Sequence, residues 1–306
     1  MPDFSQLKDR FGDWCLFGAP AAGFTTYRAG GPAEVLVKPG GPDELIWLSD
    51  WCRAVSVPLH VLGRGSNVLV SDRGLPGVTV LSERLAGIRL EGRVLEAQAG
   101  ASWDEVARIS AGAGLAGLEK TSGIPGSVGG ALRMNAGAFG QEAFDRLSSV
   151  EVFRPGAVPF SLRKADIAHG YRSAPGLEGH IILSARFEFP EGDPAALAAD
   201  RDCVLASRAA KQPLDLPSAG SVFKRPQGDY ASRLIDAAGL KGRRVGGAEV
   251  SSKHAGFIVN AGGATASDIY ALICEVRAAV REKTGVELEL EQILLGEFRR
   301  GPGGVE

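Results

Sequence analysis

Between Gly114 and Gly140 the chain reads GLAGLEKTSGIPGSVGGALRMNAGAFG, with glycine at 114, 117, 123, 126, 129, 130, 137 and 140. Glycine gives up more backbone freedom on folding than any other residue, so this density needs a reason. Bare backbone that must approach a ligand closely is one; turns with positive φ are another. Both arise where backbone N–H groups line a phosphate or a flat ring. A flexible linker is the competing reading. Leu115, Leu118, Ile124, Val128, Leu132, Met134 and Phe139 interleave the glycines and argue against it, because linkers rarely carry such apolar mass.

A length of 306 residues suits two domains, or three lobes. With 44% apolar residues the chain can build a true core, and a net charge of -2 gives no basic footprint for nucleic acid. The 42 glycines cluster without a period of three, which excludes collagen. Cys15, Cys52, Cys203 and Cys274 form no C-x-x-C pair for a metal or a redox couple, and no metal site is expected. No apolar run reaches the ~18 residues of a membrane span. The start, MPDFSQLKDRFGDW, is charged from Asp3 onward and lacks the apolar run of an export signal. The expected location is the cytoplasm.

Apolar spacing predicts helices over 42–55 and 268–284, the second with Ile269, Leu272, Ile273, Val276 and Val280 on one face and Gly285 at its stop. Asp193-Pro194 opens a long helix to about Lys211, with Asp at the N-cap and Pro at the first helical position. Ser102 and Glu105 form a capping-box pattern, S-x-x-E, before another helix. Tyr230 to Ala238 reads as a short helix ended by Gly239. Strands are expected over 58–62, 68–71, 149–154, 181–189 and 256–260, after Gly220, and in VELELEQILLG. Residues 77–100 read as a β-meander.

GRGSN at 63–67 lies between two expected strands. It is not a dinucleotide fingerprint, since position 68 is Val where the third glycine belongs, and no Lys-Ser or Lys-Thr follows to make a P-loop. Two readings stay open: an anion-holding nest of N–H groups, or a tight hairpin.

Separated stretches resemble one family, the UDP-N-acetylenolpyruvoylglucosamine reductases (the MurB family). They are TTYRAGGPAE, VLGRGSNVLVSD, GLEKTSGIPGSVGGALRMNAGAFG, GYRSA, AGSVFKRP, GLKGRRVGGAEVSSKHAGFIVN and GVELELEQILLG, spread over about residues 20–296. Their order and spacing carry the resemblance more than any one of them. It implies an α+β fold. A PCMH/VAO-type FAD-binding domain, residues 1–192 with a short N-terminal lobe to about 72, precedes a smaller α+β MurB C-terminal substrate domain, residues 193–306. It implies noncovalent FAD, although His60 lies near GRGSN and some relatives of the broader fold tether their flavin through His. NADPH is the implied electron donor. The implied reaction reduces the enolpyruvyl ether of UDP-N-acetylglucosamine to the lactyl ether of UDP-N-acetylmuramate, in peptidoglycan synthesis. The implied partners are these small molecules, with no nucleic acid and no membrane, and the chain is expected to be a monomer.

Residue by residue, the resemblance assigns Gly63, Arg64, Gly65, Ser66 and Asn67 to the flavin. It adds Gly123, Ile124, Pro125, Gly126, Gly130, Asn135, Ala136 and Gly137. Arg172 of YRSA, Ser221 of AGSVF and Glu291 of LELE carry over as catalytic. Arg172 would stabilise an enolate-like charge. Ser221 would donate a proton, its alkoxide stabilised by Lys224 or Arg225. Glu291 would help as a neutral acid, its carboxyl raised above ~4.3 by burial. Tyr171, Lys224, Arg225, Lys253 and His254 border the expected substrate site. The family carries Asn where this chain has Gly256, and FKNP where it has FKRP. The chain fits the family's shorter branch, without the added substrate-covering loop. From the residues alone, Arg172 reads as a surface ion-pair partner, Ser221 as a turn residue and Glu291 as a solvent-facing strand carboxylate. Two other functions stay open: a flavin oxidase on the same fold, and a non-catalytic nucleotide-binding relative.

Overall fold

A computed structural model describes residues 3–298; the ends of the two expected domains, 1–2 and 299–306, lie outside the described residues. The described chain forms two compact units that interleave along the sequence. One takes residues up to 16, then 35–64 and 77–208; the other takes 17–34, 65–76 and the chain from 209 onward.

The first unit is built on a five-stranded antiparallel sheet. Its order is Phe160–Arg163, Leu147–Phe153, Ile181–Glu188, Val94–Gln98, Ile88–Glu91. One core forms where the helices Trp103–Gly112 and Val128–Arg133 bury Trp103, Val106, Val128 and Leu132 with Phe144 and Phe187 of this unit. A second core gathers Leu45, Leu48 and Cys52 of helix Pro42–Ala54 with Val35, Val37, Val78 and Val80. The buried thiols of Cys15 and Cys52 are pushed up by desolvation, Cys52 to about 12, so both act as small apolar side chains here.

The second unit holds the three-stranded antiparallel sheet Arg244–Val245, Ala248–Val250, Ile258–Asn260 and the helix Ala266–Thr284. The expected apolar face of that helix is the buried one: Ile269, Leu272, Ile273, Val276 and Val280 join Leu69, Val222, Phe223 and Leu288 in one core. Thr265 and Asp268 make its capping box. Val68–Val70 pairs in parallel with Ile293–Leu295.

Several local expectations hold. Helices occupy Pro42–Ala54, Pro194–Lys211 and Ala231–Ala237, and Asp193 Oδ1 accepts the Ala195 N–H at 3.1 Å. Others do not. The 77–100 meander is divided between sheets: Leu75–Leu81 runs parallel to Leu59–Leu62, whereas Ile88–Glu91 and Val94–Gln98 form a hairpin in the five-stranded sheet. GRGSN is not a hairpin, because the strands on either side of it pair elsewhere, Leu59–Leu62 with Leu75–Leu81 and Val68–Val70 with Ile293–Leu295. Ser102 stands at its N-cap position without a side-chain cap bond, and the Glu105 carboxylate pairs with Arg108 at 2.6 Å, so the expected capping box does not form. The strand expected after Gly220 is a pair of isolated bridges, Ser221 with Phe257 and Phe223 with Leu290. Strand Phe160–Arg163 was not expected: its Phe-Ser-Leu-Arg alternates over only four residues, and none of the four is buried.

Candidate active site

In the first unit, the two glycine-rich segments meet. A β-carbon placed on Gly63 would overlap the hydroxyl of Ser127, which caps the helix Val128–Arg133 by accepting the Gly130 N–H at 3.3 Å. Only a residue without a side chain fits there. Gly123 is the second position where glycine is required. Its φ is +73°, and a β-carbon would sit 2.9 Å from Leu205 Cδ2 and 3.0 Å from Arg208 Cδ. Its N–H goes to Asp104 Oδ1 at 2.7 Å. Ile124 follows half-buried, Pro125 is exposed, and Gly126 gives its carbonyl to the Trp103 N–H at 3.1 Å.

The segment Asn135–Gly137 is stitched to GYRSA. Asn135 is fully buried, and its Nδ2 donates to Gly170 O at 3.0 Å and to Glu142 Oε2 at 2.7 Å. Its Oδ1 accepts the Phe144 N–H at 3.2 Å. Both amide hydrogens of Asn135 are therefore committed to the protein, and it acts as a strut. Arg172 returns the tie by donating from Nη2 to Gly137 O at 2.8 Å. Its guanidinium stands 5.0 Å from the ring of the exposed Tyr171. Asn135 and Arg172 both hold positive φ, +38° and +52°, a backbone state uncommon outside glycine and found at sites where surroundings fix it. Ala136 gives its carbonyl to Ala143 N–H at 2.8 Å.

In the second unit, the segment of Ser221 is flanked on both sides. Val222 O accepts the Glu291 N–H at 2.9 Å, and Val222 N–H donates to Gly256 O at 2.9 Å. Ser221 and Glu291, both half-buried, are thus brought onto neighbouring backbone. Asn67 fixes the far side of Glu291: its Nδ2 donates to Glu291 O at 3.1 Å and its own carbonyl accepts the Ile293 N–H at 3.0 Å. The GRGSN motif is shared, Gly63 and Arg64 lying in the first unit and Gly65, Ser66 and Asn67 in the second. Arg172 belongs to the first unit, Ser221 and Glu291 to the second.

The basic side chains expected around the substrate have protein partners. Lys224 pairs with Glu289, the Arg225 guanidinium lies 4.5 Å from the Tyr230 ring, and Lys253 Nζ donates to Ala209 O at 2.7 Å. His254 accepts the Gly256 N–H at Nδ1 over 3.1 Å and packs edge-on against Phe257. Burial lowers its pKa, so the ring is neutral with its proton on Nε2, which is left as a donor. A β-carbon on Gly256 would stand 3.0 Å from His254 Cε1, so the ring fills space that a larger residue at 256 would need.

The chain is 44% identical over 279 residues to the UDP-N-acetylenolpyruvoylglucosamine reductase of Levilactobacillus brevis, covering 91% of this chain and 92% of that protein. It belongs to the UDP-N-acetylenolpyruvoylglucosamine reductase family. The reductase of Lactococcus lactis subsp. cremoris is 42% identical over 282 residues, 92% of this chain and 94% of its own length. The crystal structure of the family member from Thermus caldophilus matches with a TM-score of 0.79 at 36% identity, covering 92% of this chain and 98% of that one. The family's C-terminal domain matches residues 212–295, and an FAD-binding domain matches residues 33–157. The fold class is the expected one, an FAD-binding domain of the PCMH/VAO type with a MurB C-terminal domain.

The residues of this MurB-family chain suit FAD. The contact of Gly63 with Ser127 leaves backbone without side chains where the glycine-rich segments meet, a surface that a dinucleotide can approach. Among the described residues no group of His, Cys, Asp or Glu could hold a metal, and no helix is long and apolar enough to cross a membrane.

Sequence reasoning missed Tyr27 and Gln292. Buried Gln292 donates from Nε2 to Ala219 O at 3.1 Å, and its Oε1 accepts the Tyr27 hydroxyl at 3.0 Å. It therefore fixes the turn that presents Ser221. Its position beside Glu291 was the available signal.

Proposed function

We propose that this chain reduces the enolpyruvyl ether of UDP-N-acetylglucosamine to the lactyl ether of UDP-N-acetylmuramate, in the cytoplasm and as a monomer. The reading divides the work between residues 1–192, which hold FAD, and residues 193–306, which hold the sugar nucleotide. One observation carries it: family membership across nine-tenths of the chain, with Arg172, Ser221 and Glu291 all in their motif places.

FAD held by the glycine-rich segments and reduced by NADPH would supply the hydride for the vinyl methylene. Charge then develops on the adjacent carbon and spreads into its carboxylate. Arg172 stabilises that charge, because a guanidinium is permanently cationic and bidentate and its backbone is already set by the tie to Gly137. Ser221 gives its hydroxyl proton to the carbon. Glu291, on the backbone next to Ser221, assists as a neutral hydrogen-bond donor. Gln292 keeps the Ser221 turn in place. His254 offers Nε2–H, and Lys253 and Arg225 offer charge, to the nucleotide portion. The bond from Asn67 Nδ2 to Glu291 O favours one placement of the glutamate backbone.

The test is an anaerobic stopped-flow experiment on the purified flavoprotein. Reduced flavin should be reoxidised much faster by enolpyruvyl-UDP-N-acetylglucosamine than by air. Faster reoxidation by oxygen would make the chain an oxidase. A colourless protein that cannot be reconstituted with FAD would make it a non-catalytic relative.

A further inference from the structure

Asp104 lies in the first turn of helix Trp103–Gly112, and Arg201 lies in the middle of helix Pro194–Lys211. Their side chains form a two-pronged ion pair, with Arg201 Nη1 2.8 Å from Asp104 Oδ1 and Nη2 3.1 Å from Oδ2. The pair does more than join two helices. Asp104 Oδ1 also accepts the Gly123 N–H at 2.7 Å, and Arg201 Nη1 also donates to Ser122 Oγ at 2.7 Å. Ser122 in turn donates to Glu119 O at 2.6 Å. The Arg201 side chain is only 14% exposed. The residues at which the chain enters Gly123–Gly126 are thus held by a charged pair from two helices, and Leu205 and Arg208 fill the space that a β-carbon on Gly123 would need.

We propose that the Asp104–Arg201 pair is a latch that presets the Gly123–Gly126 segment and so determines how tightly the chain holds FAD. The Gly123 N–H is committed to Asp104 and not to a ligand, so Gly123 acts by aiming the residues that follow it. A segment this rich in glycine is intrinsically free, and ordering it at the moment of binding costs affinity. A charge-assisted, two-pronged pair removes that cost beforehand. The proposal rests on FAD being the ligand of this segment.

The experiment uses the full-length holoprotein and the variants Arg201→Met, Arg201→Lys, Asp104→Asn and the double Asp104→Asn/Arg201→Met. Three quantities are read: the FAD dissociation constant from flavin fluorescence, amide exchange over Ser122–Gly126, and the thermal midpoint of each apoprotein. Arg201→Met should weaken FAD about tenfold, as loss of a charged hydrogen bond implies, and should speed exchange at Gly123. Arg201→Lys, which keeps the charge without the fork, should fall between. The double variant should be little worse than either single one, because each breaks the same unit. Variants whose FAD affinity stays within about twofold of the parent, whatever their thermal midpoint, overturn the latch, as do additive effects in the double variant. A parent protein that takes up no FAD overturns the flavin reading and the latch with it. A parent that binds FAD beside unaffected variants overturns the latch alone.

Discussion

The Ser127 hydroxyl occupies the space that a β-carbon on Gly63 would require, although the two residues come from separate glycine-rich segments. Gly63→Ala should therefore be destabilising by about 1–3 kcal/mol, the usual cost of overpacking. Ser127→Ala alone should cost about 1 kcal/mol through the lost helix cap. Together they should cost less than the sum, since the second change makes room for the first. Urea unfolding of the three variants measures this, and additive losses would contradict the contact.

Ser221→Ala should leave flavin reduction by NADPH near its normal rate. The half-reaction with the enolpyruvyl substrate should slow by about 10²–10⁴, the usual share of a positioned proton donor. Single-turnover kinetics separate the halves. An equal loss in both would remove Ser221 from the proton-donating role.

Asn135→Ala should destabilise the fold by about 1–3 kcal/mol, because Gly170 O and the Phe144 N–H lose a partner inside a buried site. Arg172 should then be less firmly placed, so flavin content and turnover should fall together. Asn135→Ala with full turnover and unchanged urea midpoint would show that the strut does not matter.

Stability should fall as the solution is made mildly acidic. Burial lowers the pKa of His180, with the Arg154 guanidinium adding to the effect, and burial lowers His254. His180 Nε2 is also the acceptor for Arg154 Nε at 3.0 Å, which only the neutral ring can provide. An unfolded histidine titrates near ~6.5. The unfolded chain therefore binds protons first, so this stabilisation is whole above about 6.5 and is lost as pH drops towards the folded-state values. Urea midpoints between pH 8 and 5 should trace that decline, and His180→Asn should flatten it. A flat parent profile would refute the assignment.

What the sequence conveyed depended on range. Helix Ala266–Thr284 was legible because its apolar face repeats within one turn, and Asp193-Pro194 marks a helix start by local stereochemistry. Sheet partners were not legible. The strands beside GRGSN look like a hairpin until their true partners are known, and Val68–Val70 finds its partner at Ile293–Leu295. The site divides the same way. Glycine density pointed to bare backbone, but Arg172, Ser221 and Glu291 stood out only through the resemblance. Asp104 and Arg201 were invisible, because nothing in either helix announces a carboxylate and a guanidinium 97 residues apart.

The interleaving of the two units has a consequence for synthesis. Tyr27 emerges early, yet the side chain that binds its carbonyl, Asn260, and the one that accepts its hydroxyl, Gln292, are translated more than 200 residues later. The second unit therefore cannot close its core until Asn260 and Gln292 have been made, so its early segment waits without these partners while the intervening chain is synthesised. Fragments cut at residue 208 should leave both products without a stable counterpart to that core, and refolding should be slow for a chain of this size because its closing contacts span such long loops.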